Sequence, residues 1–142
     1  MIALSLALLA APPAPIDGLP LGALPPQSLP AQGCAAYLFT GGSTRALAAM
    51  AAAEPGRIRL SLDGAVMDYP RVAQHGEGSV LGFAPVSEYR LGDVSVTLEM
   101  TIAQRADLTD GALVTGATLR IDRSEKDGIV VPLGGLIGCA KK

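Results

Sequence analysis

The chain has 142 residues, 11 of them basic and 13 acidic, which gives a net charge of −2. This length predicts a single domain. The near balance of charge provides no electrostatic basis for binding nucleic acid, so no nucleic-acid partner is expected. The sequence contains no Trp or Asn and is rich in alanine, glycine and proline, a composition typical of a GC-rich bacterial genome.

The first eleven residues form an apolar run that ends at Pro12 and Pro13. The run is too short to cross a hydrocarbon core of about 30 Å, but it fits the apolar region of a secretory signal peptide. We therefore expect residues 1–11 to be a signal peptide, with no integral membrane span, and the protein to be periplasmic or secreted. Because no Lys or Arg precedes the run, an uncleaved tether and a cytoplasmic location are the alternatives.

Residues 12–33 form a proline-rich segment with seven prolines. Such a composition favours an extended polyproline II conformation and resists packing, so the segment is predicted to be a disordered linker. The alternative is a docking motif for a proline-binding groove. Gly33-Cys34 resembles the end of a lipobox, but Ala31 and Gln32 do not fit that pattern, and no lipid anchor is expected.

The remaining residues, 34–142, alternate between short apolar runs and turn sequences, which predicts a single all-β domain. The first run, residues 34–39, is apolar on both faces, as in a strand that is covered on both sides. The alanine-rich residues 44–53 fit either a helix or a strand, and the preceding Gly41-Gly42 pair favours the strand. In residues 57–62 apolar and polar side chains alternate, which indicates a half-buried strand.

The most regular alternation covers residues 94–102, where every second residue is apolar. With residues 80–90 and a turn at Gly92, it predicts a long antiparallel hairpin at the centre of the core. Met100 is expected on the buried face and Glu99 on the solvent face. Further strands are predicted at residues 65–72, 113–121 and 129–133. About eight short strands at this spacing predict a small antiparallel β-sandwich or barrel-like domain, preceded by the signal peptide and the proline-rich tether.

Cys34 and Cys139 are the only two cysteines, and they bracket the predicted β domain. This placement predicts a disulfide bond between them and makes the first and last strands neighbours. A disulfide of this kind is typical of proteins in oxidising compartments, which agrees with the predicted signal peptide.

Candidate catalytic residues are few. His75 is the only histidine, and Glu77 and Ser79 follow it in a glycine-rich segment. A hydrolase would need a nucleophile, a base and an orienting carboxylate together, and no nucleophile motif surrounds any serine. A solvated histidine in a loop is the simpler interpretation.

The sequence predicts neither a metal site nor a cofactor. One histidine and two distant cysteines give no usual ligand spacing. Gly76, Gly78 and Gly82 lack the spacing of a dinucleotide-binding loop, and no helix is predicted after them.

The five aromatic residues are expected to supply core volume. Alternatively Tyr69 and Tyr89, with Arg90, form an exposed contact surface, because tyrosine and arginine are enriched at binding hot spots. The resulting hypothesis is an exported bacterial binding or interaction module of the cell envelope, accessory or inhibitor-like. Its partner would be an unknown protein or envelope component. The alternative is a small secreted hydrolase-type enzyme with a site around His75.

Overall fold

The structure, a computed structural model, describes residues 15–16, 19–41, 45–108 and 110–140. The predicted signal peptide, residues 1–11, lies outside the described residues and remains a prediction. The described residues form nine β-strands: β1 (Leu21–Gly22), β2 (Cys34–Thr40), β3 (Leu47–Ala52), β4 (Arg57–Leu62), β5 (Ala65–His75), β6 (Val86–Leu91), β7 (Val94–Ala103), β8 (Gly111–Arg123) and β9 (Ile129–Cys139).

Strands β2 to β9 form a closed antiparallel barrel. Each strand pairs with the next one along the chain, and β2 pairs with β9 to complete the circle. The short strand β1 lies outside this circle and pairs with the end of β4 through Leu21↔Leu62 and Gly22↔Ser61. The prediction of an all-β domain of about eight antiparallel strands is confirmed, and the architecture is the barrel.

The alternation predicted for residues 94–102 is confirmed in β7. Val96, Leu98 and Met100 are buried, and Glu99 is exposed. Every second residue of the other barrel strands likewise points inward, and these inward side chains form one core. Small side chains form much of the core on β2 and β3, among them Ala36, Ala49 and Ala51.

Two predicted strands have different bounds in the structure. The partner of β7 was expected to begin at residue 80, but β6 begins at Val86. Leu81 and Gly82 have positive φ angles of 53° and 87°, which end strand geometry before it. Conversely, β9 continues without a break through Gly134-Gly135 to Cys139. A Cβ atom on Gly135 would collide with the Tyr37 carbonyl of β2, so only glycine allows this approach.

The alanine-rich segment is a strand, as the preceding turn favoured. Residues Leu47–Ala52 form β3, which pairs with β2 and β4. Residues 42–44, which include part of the predicted turn, lie outside the described residues.

The structure describes part of the proline-rich segment, and the prediction that this segment is a linker remains a prediction. Residues 23–30, here called the strap, lie along the outer faces of β2 and β3. The buried Leu24 donates a backbone hydrogen bond to Leu47 O, and the Tyr37 hydroxyl donates one to Ser28 O, at 2.7 and 2.9 Å. The strap covers part of the apolar outer face of β2, which would otherwise be exposed to water.

Both ends of the barrel are covered. At one end, residues 76–85, here called the lid, bury Phe83 in the core. At the other end, Ile16 and Leu21 are buried beside Leu62. Among the described residues, no helix has the length and apolar character needed to span a membrane.

Candidate functional site

The most apolar concavity among those described on the barrel is a groove between the strap and the outer wall. It has a volume of about 470 Å³, and Gln27 is the one lining residue with a side-chain amide or charge. The lining residues are Leu24, Pro26, Gln27, Leu29, Tyr37, Phe39, Leu47 and Leu136. We call this feature the strap groove.

The strap groove follows from strand alternation and register. Tyr37 and Phe39 project from the outer face of β2, because Ala36 and Leu38 point into the core. Leu136 of β9 is the direct partner of Tyr37 and lies on the same face. Leu47 of β3 also lines the groove. Three adjacent strands therefore contribute apolar side chains to one outer surface, and the strap covers only part of it.

Two leucines at the groove are open to solvent. Leu29 is 58% exposed and Leu136 is 44% exposed. A Cβ atom on Gly138 would lie 2.8 Å from the Leu29 side chain, so the glycine provides the space that Leu29 occupies. Exposed leucines beside a half-filled apolar groove are a feature of interaction surfaces.

Polar contacts hold the strap at one side of the groove. Arg59 donates two hydrogen bonds to the Asp68 carboxylate, at 2.7 and 3.1 Å, and a third to Gln27 Oε1 at 2.6 Å. The Arg59 guanidinium hydrogen-bonded to Asp68 holds the pKa of that carboxyl below its ordinary value, although partial burial opposes the shift. One arginine thereby connects β4, β5 and the strap.

Phe39 also lines a second cleft, which has a volume of about 520 Å³. Arg45, Pro132 and Gly134 are among the other residues of this cleft. The Arg45 guanidinium carbon lies 4.9 Å from the centroid of the Phe39 ring, within range of a cation–π interaction. The strap groove thus has a cation at its Phe39 end.

The structure separates the candidate catalytic residues. His75 Nε2 lies 2.7 Å from a carboxylate oxygen of Glu88 on the adjacent strand, and both side chains are exposed. Glu77 and Ser79 instead line a separate cleft of about 230 Å³ under the lid. Within the described residues, no hydrogen bond joins His75 to Glu77 or Ser79. In the described part of the chain, the imidazole therefore has a carboxylate partner and no hydrogen bond to a serine hydroxyl.

The proposed tyrosine contact surface is not present. Tyr69 is 3% exposed and Tyr89 is 1% exposed, whereas Arg90 is exposed. Both tyrosines occupy inward positions, opposite Ile58 and Val96 respectively, so alternation places their rings in the core. Burial raises the pKa of both phenols.

The predicted disulfide is confirmed. Cys34 and Cys139 are bonded, and their Cα atoms are 4.0 Å apart. They are direct register partners on β2 and β9, so the bond joins the first and last strands of the barrel. Across the described ranges, no three His, Cys, Asp or Glu side chains cluster in a way that could hold a metal ion.

Sequence reasoning missed the strap groove. The available signal was the apolar character of residues 34–39 on both faces, which required a cover on the outside as well as the inside. The leucines between the prolines were the residues able to provide it.

In comparisons with known proteins, no family model, no curated protein and no solved structure matches this chain.

Proposed function

We propose that this protein is an exported bacterial binding module of the cell envelope, and that it contacts a protein partner through the strap groove. The observation that carries the proposal is the groove itself, with Leu29 and Leu136 exposed at an otherwise apolar surface. Burying one such leucine against a partner contributes about 1.5–3 kcal/mol, so two leucines can anchor a specific contact.

The shape of the groove favours an extended apolar segment of the partner. The strap already lies in the same depression as an extended chain, and it makes few backbone hydrogen bonds to the wall beneath it. A second extended segment can lie beside it against Phe39 and Leu136. Arg45 at one end of the groove favours a partner segment with an acidic residue there.

The disulfide and the apolar leader support an exported location. Cys34 and Cys139 are bonded, and stable disulfides are typical of oxidising compartments such as the periplasm. We propose that residues 1–11 are removed on export. Cell fractionation followed by mass spectrometry of each fraction tests this. We expect a shortened, oxidised chain in the periplasm, and a full-length chain in the cytosol with reduced thiols would contradict the proposal.

The binding proposal is tested by site-specific photo-crosslinking in the native cells. A photoreactive phenylalanine analogue replaces Leu136 in the groove or, as a matched control, Val130. Val130 is 63% exposed and also lies on β9, but it does not line the groove. We expect a discrete crosslinked product from position 136 and none from position 130. Equal products from both positions, or none from 136, would contradict the proposal.

A further inference from the structure

The wall beneath the strap groove consists of strands that already have partners. β2 pairs with β3 and β9, β3 also pairs with β4, and β9 also pairs with β8. At the start of β3, the carbonyl of Leu47 accepts the hydrogen bond from Leu24 of the strap. Among the described residues of the wall, a partner segment therefore finds no free strand edge to which it could add as a further strand. Its recognition depends on side chains and on a backbone that needs no ladder of hydrogen bonds.

The width of this wall leaves no room for a helix beside the strap. Adjacent strands lie about 4.8 Å apart, so β3, β2 and β9 together span about 10 Å between the outer two axes. The strap already covers part of that width. An α-helix with its side chains is about 10–12 Å wide. An extended segment is the conformation that fits the remaining space.

The strap itself shows how this wall holds a proline-rich segment. It contains Pro25, Pro26 and Pro30, and prolines at this density favour the polyproline II conformation. The carbonyl groups of such a chain have no internal hydrogen bonds, and the Tyr37 hydroxyl donates to one of them, Ser28 O, at 2.9 Å. Aromatic-lined grooves are the usual sites for segments of this kind, and Tyr37 is one of two aromatic residues in this groove.

The second aromatic residue, Phe39, has an open space beside it. Its register partner on β9 is Gly134, which has no side chain to cover the neighbouring part of the outer face. Phe39, Gly134 and Pro132 line the cleft of about 520 Å³ that shares Phe39 with the strap groove. The apolar wall therefore continues past the strap to a second aromatic ring, next to a space in which a proline ring fits.

Arg45 provides a positive charge at the same place. Its guanidinium carbon lies 4.9 Å from the centroid of the Phe39 ring, and the residue is exposed. In the described ranges, no carboxylate lies within 4.0 Å of this guanidinium. Its planar N–H donors match a carboxylate, so a partner segment that reaches Phe39 is favoured if it carries an acidic residue at that end.

We propose that the partner segment in the strap groove is a polyproline II segment that contains leucine and ends in an acidic residue at Arg45. One proline ring packs on Phe39 beside Gly134, and a leucine contacts Leu136. Because such a segment is largely preformed, it loses little conformational entropy on binding. This inference rests on the proposed function and specifies the chemistry of the partner.

The test uses the purified full-length protein and fluorescently labelled synthetic peptides. The probe has the sequence of residues 23–30 with one glutamate added at each end, and in the control peptide its three prolines are replaced by alanine. Fluorescence anisotropy should show saturable binding of the probe, about tenfold tighter than that of the control, because each proline restricts the unbound peptide. The probe should shift the NMR amide signals of Phe39, Gly134 and Leu136.

Two variants test the parts of the site. Gly134→Val fills the space beside Phe39 and should weaken probe binding about tenfold. A Cβ atom at this position makes only an ordinary contact, 3.5 Å from Val114 O, so the barrel should still fold. Arg45→Gln should weaken probe binding severalfold and leave unchanged the binding of a peptide without the glutamates. Val130→Ala, on an exposed part of β9 outside the groove, is the matched control.

Three results would overturn the inference: equal binding of the proline and alanine peptides, no saturable binding of the probe, or an unaltered affinity in Gly134→Val. If Gly134→Val does not fold, the Arg45→Gln comparison decides, and an equal effect on the peptides with and without glutamate contradicts the inference. Crosslinking at position 136 tests the proposed function separately. A crosslinked partner whose attached segment contains no proline would overturn this inference and leave the proposed function intact.

Discussion

Cys34 and Cys139 face each other directly across β2 and β9, the two strands whose pairing closes the barrel. The disulfide thus covalently joins the first and last strands of the barrel, at the strand pair that we call the seam. Six further register pairs, from Ala35↔Gly138 to Thr40↔Leu133, extend the antiparallel pairing of these two strands.

Replacing both cysteines by serine should leave the barrel folded but less stable. The sequence separation of the bond is 105 residues, and closing so long a loop removes much entropy from the unfolded chain. We expect a loss of about 2–4 kcal/mol in the free energy of unfolding. Urea denaturation followed by circular dichroism measures it. A double variant as stable as the oxidised protein would show that the bond contributes nothing to the seam.

Met100 and Glu99 are adjacent residues on opposite faces of β7. Met100→Asp places an unpaired charge on the buried face and should cost several kcal/mol. Glu99→Lys changes an exposed residue and should alter stability by less than about 0.5 kcal/mol. Melting temperatures of the two variants compare them directly, and equal values would mean that the faces of β7 are assigned incorrectly.

The Arg59–Asp68 pair should make stability depend on pH in the acidic range. The folded-state pKa of Asp68 is lowered, so its contribution is complete above the unfolded pKa of about 3.9 and is lost as the pH falls through the folded-state pKa. Because both groups are partly exposed, the contribution should be about 0.5–1 kcal/mol.

Asp68→Asn tests this contribution. The variant should be less stable than the unmodified protein at pH 6, and the difference should shrink on acidification to pH 2. A difference that stays constant over this range would show that ionisation of Asp68 does not stabilise the fold.

Tyr37→Phe should loosen the strap. The substitution removes the hydrogen bond from the Tyr37 hydroxyl to Ser28 O, at 2.9 Å, and keeps the ring in the groove wall. The expected loss is about 0.5–1.5 kcal/mol of local stability. Hydrogen exchange should become faster at Leu24, whose amide donates to Leu47 O, and stay unchanged in β7. If strap and barrel amides change together, the strap is part of the global folding unit instead.

Local sequence pattern was enough to predict the positions of β2 to β9, although not the bounds of β6 and β9, and also the faces of β7 and the disulfide. Each depends on residues that are close in sequence or on the only possible cysteine pair. The choice between sandwich and barrel was not predictable, because it depends on β2 pairing with β9 and on β4 pairing with β5. Alternation within a strand contains no information about such closure.

The candidate site was harder to predict for the same kind of reason. Proline composition indicated that the strap is extended, but not that Leu24 would be buried on β3. In residues 86–91 apolar and polar side chains do not alternate, so the inward orientation of Tyr89 followed only from its pairing with Val96. The pairing of β5 with β6 has a register shift between Arg71 and Ala73. The side chains of β5 that face the core therefore could not be predicted from alternation alone.

The central claim is that the protein binds its partner through the strap groove. The most direct test is to identify the partner by crosslinking, purify it, and compare its affinity for two variants of this protein. Leu136→Glu places a charge at the groove, and Val130→Glu places the same charge on an exposed part of β9 that does not line it. Isothermal titration calorimetry with the purified partner should give a Kd for Leu136→Glu at least about tenfold weaker than for the unmodified protein, since a partner's apolar side chain would then face an unpaired charge. The Kd for Val130→Glu should be unchanged. Equal affinities of the two variants would contradict the account.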